Sequence, residues 1–262
     1  MNWLEALILG IIQGLCEFLP VSSSGHLEIG KVILLNEVKE DISFTLIVHA
    51  ATVLSTIIVF RKDIINLFTN ALNFRWNSET QYISKIILSM IPVVFVGLFL
   101  KDELEGLFNG NLILVGSMLI ITAILLIYTY YVKSKDNDIS YKNAIIIGIA
   151  QAIAVLPGIS RSGSTIAVAL FLGIKKEEAA RFSFLMVLLP ILGATAKEFL
   201  DGGLKSEIIQ WQILAVGFIA AFISGLFACN LMLKIVKEGK LLYFGFYCLA
   251  AGVIALICGV YG

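Results

Sequence analysis

Two short polar stretches interrupt the long apolar runs of this chain, QGLCEFLPVSSSGH at residues 13–26 and LPGISRSGST at residues 156–165. The first stretch contains a carboxylate, three serine hydroxyls and an imidazole, and the second contains a guanidinium among further hydroxyls. The planar guanidinium of arginine suits phosphate oxygens, and the free N–H groups at the start of a helix attract anions. These residue types therefore predict a phosphate site, and not a cation site, which needs carbonyls and more carboxylates.

In the first stretch, Gln13 and Glu17 are four residues apart and therefore share one face of a helix, which makes Gln13 a candidate substrate-binding residue. An ionisable group at membrane depth is costly, so Glu17 and His26 are candidate catalytic residues. The segment after Pro20 predicts a second half-helix whose first residues cap it or bind substrate: Ser22, Ser23, Ser24 and Gly25. Two other interpretations remain open, namely that Glu17 makes a structural hydrogen bond to another helix and that the serines only mediate helix packing.

In the second stretch, Arg161 is the candidate for holding phosphate oxygens. The residues around it are candidates for substrate binding: Ser160, Ser162, Gly163 and Thr165. Arg161 could instead be the buried counterion of Glu17, and the two roles are compatible because an empty site can pair these charges. The other histidine, His49, has no evident polar partner and is interpreted as a core histidine that bonds a neighbouring helix.

The composition places these stretches in a membrane protein. Of 262 residues, 59% are hydrophobic and only 15% are charged, with a mean hydropathy of +0.95. The net charge is zero, so nothing indicates a nucleic acid partner. Six apolar segments are long enough to span a bilayer: 43–61, 83–100, 112–132, 178–199, 210–233 and 241–260.

Two further apolar segments, 4–36 and 142–174, are each broken in the middle by the polar stretches. Each half is too short to cross about 30 Å of hydrocarbon at 1.5 Å per residue. We interpret both segments as re-entrant helical hairpins, because irregular backbone is tolerated at membrane depth only where protein or water surrounds it.

The two hairpins are similar to each other in sequence. An offset of 138 residues places ALILGIIQGL over AIIIGIAQAI and matches Gln13 with Gln151, Ser22 with Ser160 and Gly25 with Gly163. An odd number of spans between the copies requires the second copy to be inverted. The prediction is an all-α polytopic membrane protein with a single membrane domain over 1–262. It comprises a first repeat (1–132) and a second, inverted repeat (139–262), each a re-entrant hairpin plus three transmembrane helices.

The distribution of basic residues predicts the orientation. With the turns on alternating sides, thirteen Lys and Arg residues fall on one side and five on the other, with Arg161 inside. The positive-inside rule makes the richer side cytoplasmic, so both termini are expected outside. Residues 62–76 are predicted to form an amphipathic helix on the cytoplasmic face, with a plain loop as the alternative.

The two polar stretches closely resemble the signature motifs of the undecaprenyl-diphosphate phosphatase family, the bacterial bacitracin-resistance proteins. QGLCEFLPVSSSGH resembles the family pattern (Glu/Gln)xxxGlu followed by PxSSxGH, and PGISRSGST resembles PGxSRSG. The resemblance extends over nearly the whole chain in length, span order and repeat. It implies hydrolysis of undecaprenyl diphosphate to undecaprenyl phosphate and phosphate, which recycles the carrier lipid for peptidoglycan synthesis and confers bacitracin resistance.

The resemblance also implies a multi-pass protein of the bacterial inner membrane, a site open to the outside, and a divalent cation, Mg²⁺ or Ca²⁺. Many members of the family carry Glu where this chain has Gln13. Glutamine cannot act as a general base and is a weaker metal ligand, so Glu17 is expected to be the metal ligand alone. The expected partners are the polyprenyl diphosphate lipid and membrane lipid, with a homodimer as an option for the assembly.

The nucleophile is left open among Ser23, His26 and an activated water, with Ser23 favoured because it lies in the turn between Glu17 and His26. Inverted repeats with paired hairpins are also typical of transporters. The alternative function is therefore a transporter or flippase of a lipid phosphate or another anion. The pair of Glu17 and His26 favours hydrolysis, because a simple anion carrier gains nothing from a carboxylate beside its substrate.

Overall fold

The computed structural model describes residues 1–35, 42–72, 75–100, 103–104, 106–107, 110–132, 135–200 and 210–261, and the elements treated below are helices. Their bounds are α1 Trp3–Phe18, α2 Ser23–Leu35, α3 Ile42–Val59, α4 Arg61–Ala71, α5 Ser78–Phe99, α6 Leu112–Tyr128, α7 Tyr141–Ile153, α8 Arg161–Phe171, α9 Lys176–Leu200, α10 Trp211–Glu238 and α11 Leu242–Tyr261. The all-α prediction is confirmed. Four of the basic residues used for the orientation lie outside the described residues: Lys39, Lys101, Lys133 and Lys205.

Both broken segments form pairs of short helices, as predicted. The first pair has 16 and 13 residues (α1 and α2), and the second has 13 and 11 (α7 and α8). The two members of each pair contact each other. At 1.5 Å per residue these helices are about 16 to 24 Å long, which is shorter than the hydrocarbon core of a bilayer.

Five helices are long and apolar enough to cross a membrane by themselves: α5, α6 with its 3₁₀ extension to Tyr131, α9, α10 and α11. The predicted span 43–61 corresponds to α3, which meets the same test only together with α4, from which it is bent by 72°. Multiple apolar helices therefore make this a multi-pass membrane protein. The helix predicted at 62–76 is present over Arg61–Ala71, where Leu67 is buried and the apolar side chains of Ile65 and Phe68 are exposed. Its position on the cytoplasmic face stays a prediction.

The hairpins pack against helices of the opposite half of the chain. Helix α1 packs along α10, and α7 packs along α5. Helix α3 likewise contacts α10, and α9 contacts α5. Small residues permit the close approach of α1, since a side chain at Gly10 would meet Ala220 and the backbone of Gly217. This exchange of partners is consistent with two copies of one unit, and the inversion of the second copy stays a prediction.

Helices α6 and α11 pack along each other through glycines that recur every seven residues on α11, at Gly245, Gly252 and Gly259. A Cβ atom at Gly252 would lie 2.8 Å from the carbonyl oxygen of Gly116 and 3.0 Å from Ile120 Cγ1. The helices can therefore approach this closely only because the contact side of α11 lacks side chains at these positions.

We expect Gly252→Leu to lower the melting temperature (Tm) of the purified protein in detergent. Inserting a side chain into a packed interface costs about 1–3 kcal/mol. Gly97→Leu is the matched control, because nothing lies within 4 Å of a Cβ atom at that position. Equal Tm values for the two variants would contradict this account of the α6–α11 contact.

Candidate functional site

The breaks of the two hairpins lie against each other. The Ser162 hydroxyl donates to the Leu19 carbonyl at 3.4 Å, and a Cβ atom at Gly25 would lie 3.0 Å from Gly158 Cα. The N-termini of α2 and α8 are thereby brought to one place. This is the arrangement that the sequence predicted for the two polar stretches.

Equivalent serines cap these two helices. Ser22 Oγ accepts from the Gly25 N–H at 3.2 Å, and Ser160 Oγ accepts from the Gly163 N–H at 3.0 Å. Helix α6 braces the second break, because Thr122 Oγ1 accepts from the Ser160 N–H at 3.0 Å. The caps each satisfy one backbone donor and leave other first-turn N–H groups available to an anion.

Ser22 adopts a left-handed backbone conformation with φ of 71°. Such a conformation is uncommon for a residue with a side chain and costs free energy unless the surroundings fix it. Here it turns the chain from the break into α2. The neighbouring Ser24 hydroxyl lies 3.3 Å from that of Ser22, so the first break forms a compact group of hydroxyls.

Glu17 is the centre of the polar cluster and is 7% exposed. One carboxylate oxygen, Oε1, pairs with the Arg161 guanidinium. The other, Oε2, accepts from Ser23 Oγ at 2.7 Å and from Gln13 Nε2 at 3.0 Å. Arg161 is therefore a counterion of Glu17, and it is more exposed than its partner, at 27%.

The cluster forms one wall of a cavity of about 390 Å³. The two hairpins contribute most of the polar lining: Glu17, Ser22, Ser23, Ser24, Gln151, Ser160, Arg161 and Ser162. Helices α3, α5 and α9 contribute the apolar side chains of Leu46, Val93, Pro190 and Ile191, together with the polar Thr45, His49 and Thr195. A charged headgroup with an apolar tail could contact both kinds of side chain in this cavity.

Thr165 and Gly163 support the cluster from behind. Thr165 Oγ1 donates to the Arg161 carbonyl at 2.9 Å, and it lines a small pocket of about 20 Å³ next to Glu17 and Arg161. Gly163 is buried beside Pro20, and a Cβ atom at Gly163 would lie 3.2 Å from the Pro20 Cβ. Both positions thus shape the N-terminus of α8 without lining the main cavity.

His49 was missed by the sequence reasoning. It lines the cavity, and its Nε2 lies 4.0 Å from Glu17 Oε2. Its Nδ1 contacts the carbonyl of Thr45 in its own helix at 2.8 Å, so the contact of His49 with a neighbouring helix is the one to Glu17 of α1, and the residue lines a cavity instead of the core. The sequence did indicate a functional role for this histidine, because an ionisable residue inside a membrane span is a functional hypothesis by default.

His26 is placed differently from the other predicted catalytic residues. Its Nδ1 lies 2.9 Å from the Ser22 carbonyl oxygen, and its Nε2 lies 2.8 Å from the Tyr247 hydroxyl. The two rings are also stacked, with centroids 5.5 Å apart. His26 therefore contacts α11, and it is not among the described residues that line the main cavity, whereas Glu17, Ser23 and Arg161 are brought together there.

A divalent cation would find few protein ligands at this site. Among the described residues, no group of three or more His, Cys, Asp or Glu is placed to hold a metal ion. Glu17 is the one carboxylate that the described cavity walls provide, and its oxygens already accept from Arg161, Ser23 and Gln13. Because Mg²⁺ is commonly held by one or two carboxylates plus substrate phosphates and water, the residues fit a cation that arrives with a phosphate ligand.

Fold and site together define a polytopic helical membrane protein with an Arg–Glu–Ser cavity suited to a phosphate headgroup. The comparison with known families gives a more particular result. The chain belongs to the family of the bacitracin resistance protein BacA, which it matches over residues 6–254.

Individual relatives are similar over nearly their full length. The undecaprenyl-diphosphatase of Christiangramia forsetii is 52% identical over 259 residues, which cover 98% of each chain. The undecaprenyl-diphosphatase of Bacteroides fragilis is 53% identical over 264 residues, again covering 98% of each chain. A more distant relative of the same name, from Methanococcus maripaludis, is 40% identical over 256 residues, or 97% of this chain and 99% of the relative.

Proposed function

We propose that this chain is an integral membrane phosphatase that hydrolyses undecaprenyl diphosphate to undecaprenyl phosphate and phosphate. The observation that carries the proposal is the cluster of Glu17, Ser23 and Arg161 on the wall of a cavity with apolar sides. Phosphoryl transfer requires positioning, neutralisation of negative charge and an in-line nucleophile, and these three residues supply all three. The reaction recycles the carrier lipid for cell-wall synthesis, and the family's name associates it with bacitracin resistance.

Ser23 is the proposed nucleophile, because its hydroxyl already donates to a carboxylate on the cavity wall. Its Oγ attacks the terminal phosphorus while its proton passes to Glu17 Oε2, and the bond from that phosphorus to the bridging oxygen breaks. Glu17 then gives the proton to the departing undecaprenyl phosphate. A water hydrolyses the phosphoserine, with Glu17 accepting the proton of that water and returning it to Ser23.

Arg161 and the N–H groups at the starts of α2 and α8 hold the diphosphate. When substrate enters, the guanidinium exchanges part of its contact with Glu17 for phosphate oxygens, which its planar fork can bind in pairs. His49 Nε2 lies 4.0 Å from Glu17 Oε2, so its imidazole is a second candidate base beside the carboxylate. His26, held between Ser22 and Tyr247, orients the start of α2 in this scheme.

A divalent cation, Mg²⁺ or Ca²⁺, is part of the proposal, with Glu17 as its protein ligand. When bound, such a cation neutralises phosphate charge. Glu17 would hold it together with the diphosphate, since Glu17 is the one carboxylate on the described cavity walls.

The proposed location is the bacterial inner membrane, with the termini and the opening of the site on the outer side, as the basic residues indicate. The prenyl tail is proposed to remain in lipid and to leave the cavity past the apolar side chains Val93, Pro190 and Ile191. A homodimer is an option for the assembly, which light scattering of the purified protein in detergent would test.

The first test is phosphate release from undecaprenyl diphosphate by the purified protein in detergent. We expect release that EDTA abolishes and that added Mg²⁺ or Ca²⁺ restores, because the cation neutralises the diphosphate at a site with one carboxylate. Phosphate release that EDTA leaves unchanged would contradict the proposed requirement for a divalent cation. Absence of release from folded protein would contradict the phosphatase and favour transport, which reconstituted vesicles would then measure.

A further inference from the structure

Gln151 is a buried amide without a partner. It lies on α7, is 1% exposed and lines the cavity. Neither its Nε2 nor its Oε1 has a hydrogen-bond partner among the described residues. An unsatisfied buried polar group costs about 1–3 kcal/mol, so an amide left in this state requires an explanation.

The equivalent residue of the first hairpin shows what is different about Gln151. Gln13 is equally buried, but its Nε2 donates to Glu17, four residues later on the same helix face. Four residues after Gln151 the chain has Val155, which also lines the cavity and cannot accept a hydrogen bond. Among the described residues, Gln13 Oε1 also lacks a partner, so the difference lies in the amide N–H groups: the second hairpin keeps the glutamine but lacks the acceptor that pairs with Gln13 Nε2.

The position of Gln151 indicates what its amide binds. The residue shares a hairpin and a cavity wall with Arg161, the group that attracts phosphate oxygens. A phosphate oxygen is an acceptor and would satisfy an amide N–H that no described residue satisfies. We propose that Gln151 is a substrate-binding residue, whose amide donates a hydrogen bond to a phosphate oxygen of the bound diphosphate. This inference rests on the proposed function, because the diphosphate is its ligand.

The experiment uses Gln151→Met, which keeps the length of the side chain and removes the amide. We expect kcat/KM for undecaprenyl diphosphate to fall about tenfold to a hundredfold, the range for a hydrogen bond to a charged group. The Tm without ligand should stay the same or rise, because an unsatisfied buried group is removed. A structural glutamine would behave oppositely, with a lower Tm.

The matched control is Ser164→Ala. Ser164 is 4% exposed, its hydroxyl also lacks a partner among the described residues, and it is not among the cavity-lining residues. We expect this variant to keep the kcat/KM of the wild-type protein. Gln151→Met thus removes an unsatisfied polar group that lines the cavity, and Ser164→Ala removes one that does not.

A binding measurement separates this inference from the proposed function. The rise in Tm caused by the methylene-bridged analogue of farnesyl diphosphate reports binding without turnover. We expect the rise to be smaller for Gln151→Met than for the wild-type protein and for Ser164→Ala. Wild-type protein that binds the analogue but releases no phosphate would refute the phosphatase, while this comparison still decides the role of Gln151. An undiminished rise in Gln151→Met, or a lowered Tm without ligand, would overturn the inference.

Discussion

Arg161→Ala should lower kcat/KM for undecaprenyl diphosphate by a factor of about a thousand or more, the range for arginines that stabilise phosphoryl transfer. Arg161 is the one cationic side chain of Lys or Arg on the described cavity walls. Its loss removes the bidentate contact with phosphate oxygens. Phosphate release by the purified variant, with KM and kcat measured separately, checks the expectation.

Loss of folding must be distinguished from loss of function in this variant. Alanine leaves Glu17 buried without its counterion, which can destabilise the protein. Arg161→Lys is the control, because it keeps the charge but not the planar fork. We expect its activity to be intermediate and its Tm to be nearer that of the wild-type protein. Alanine and lysine variants with near-normal activity would refute the role of Arg161.

The sequence was sufficient to predict the elements that build the site. Proline, glycine and serine divide two apolar segments into halves that are each too short to span the membrane. The structure has helix breaks at both places. Capping explains why the positions of Ser22 and Ser160 were predictable, because a serine before a half-helix satisfies a donor of its first turn. Local rules thus determine where the half-helices begin.

Contacts between helices could not be predicted in the same way. His49 is 32 positions after Glu17 in the chain, and only the packing of α3 against α1 brings its ring to the carboxylate. His26 follows Ser23 by one turn, which suggested one shared site, but the ring stacks on Tyr247 of α11. In both cases the partner belongs to an element whose placement depends on the whole bundle.

The two hairpins of the predicted repeat carry different residues at matched positions, which makes the site asymmetric. The offset that matches Gln13 with Gln151 also places Glu17 over Val155 and Ser23 over Arg161. One hairpin therefore provides the proposed base and nucleophile, and the other provides the cation that holds the substrate. We therefore expect catalysis to require both halves, because neither hairpin has the complete set of the proposed groups.

Glu17→Gln should have an effect as large as that of the Arg161 variant, but on a different kinetic constant. Glutamine keeps the size of the side chain and can still accept from Ser23, yet it cannot take up the proton of the nucleophile. We expect kcat to fall about a thousandfold, within the range for a lost general base. At saturating Mg²⁺ the effect on KM should be small, since Arg161 loses a competing partner and becomes free for phosphate.

The comparison of Glu17→Gln with Glu17→Asp makes this expectation specific. Aspartate keeps the carboxylate but is one methylene shorter, so it should retain more kcat than glutamine at a similar Tm. Steady-state kinetics of both variants with saturating Mg²⁺ give kcat and KM separately. If glutamine raised KM and left kcat unchanged, Glu17 would bind the substrate or its cation without accepting a proton, and the activation of Ser23 would need another base. His49, 4.0 Å from the same carboxylate, would then be the residue to replace next.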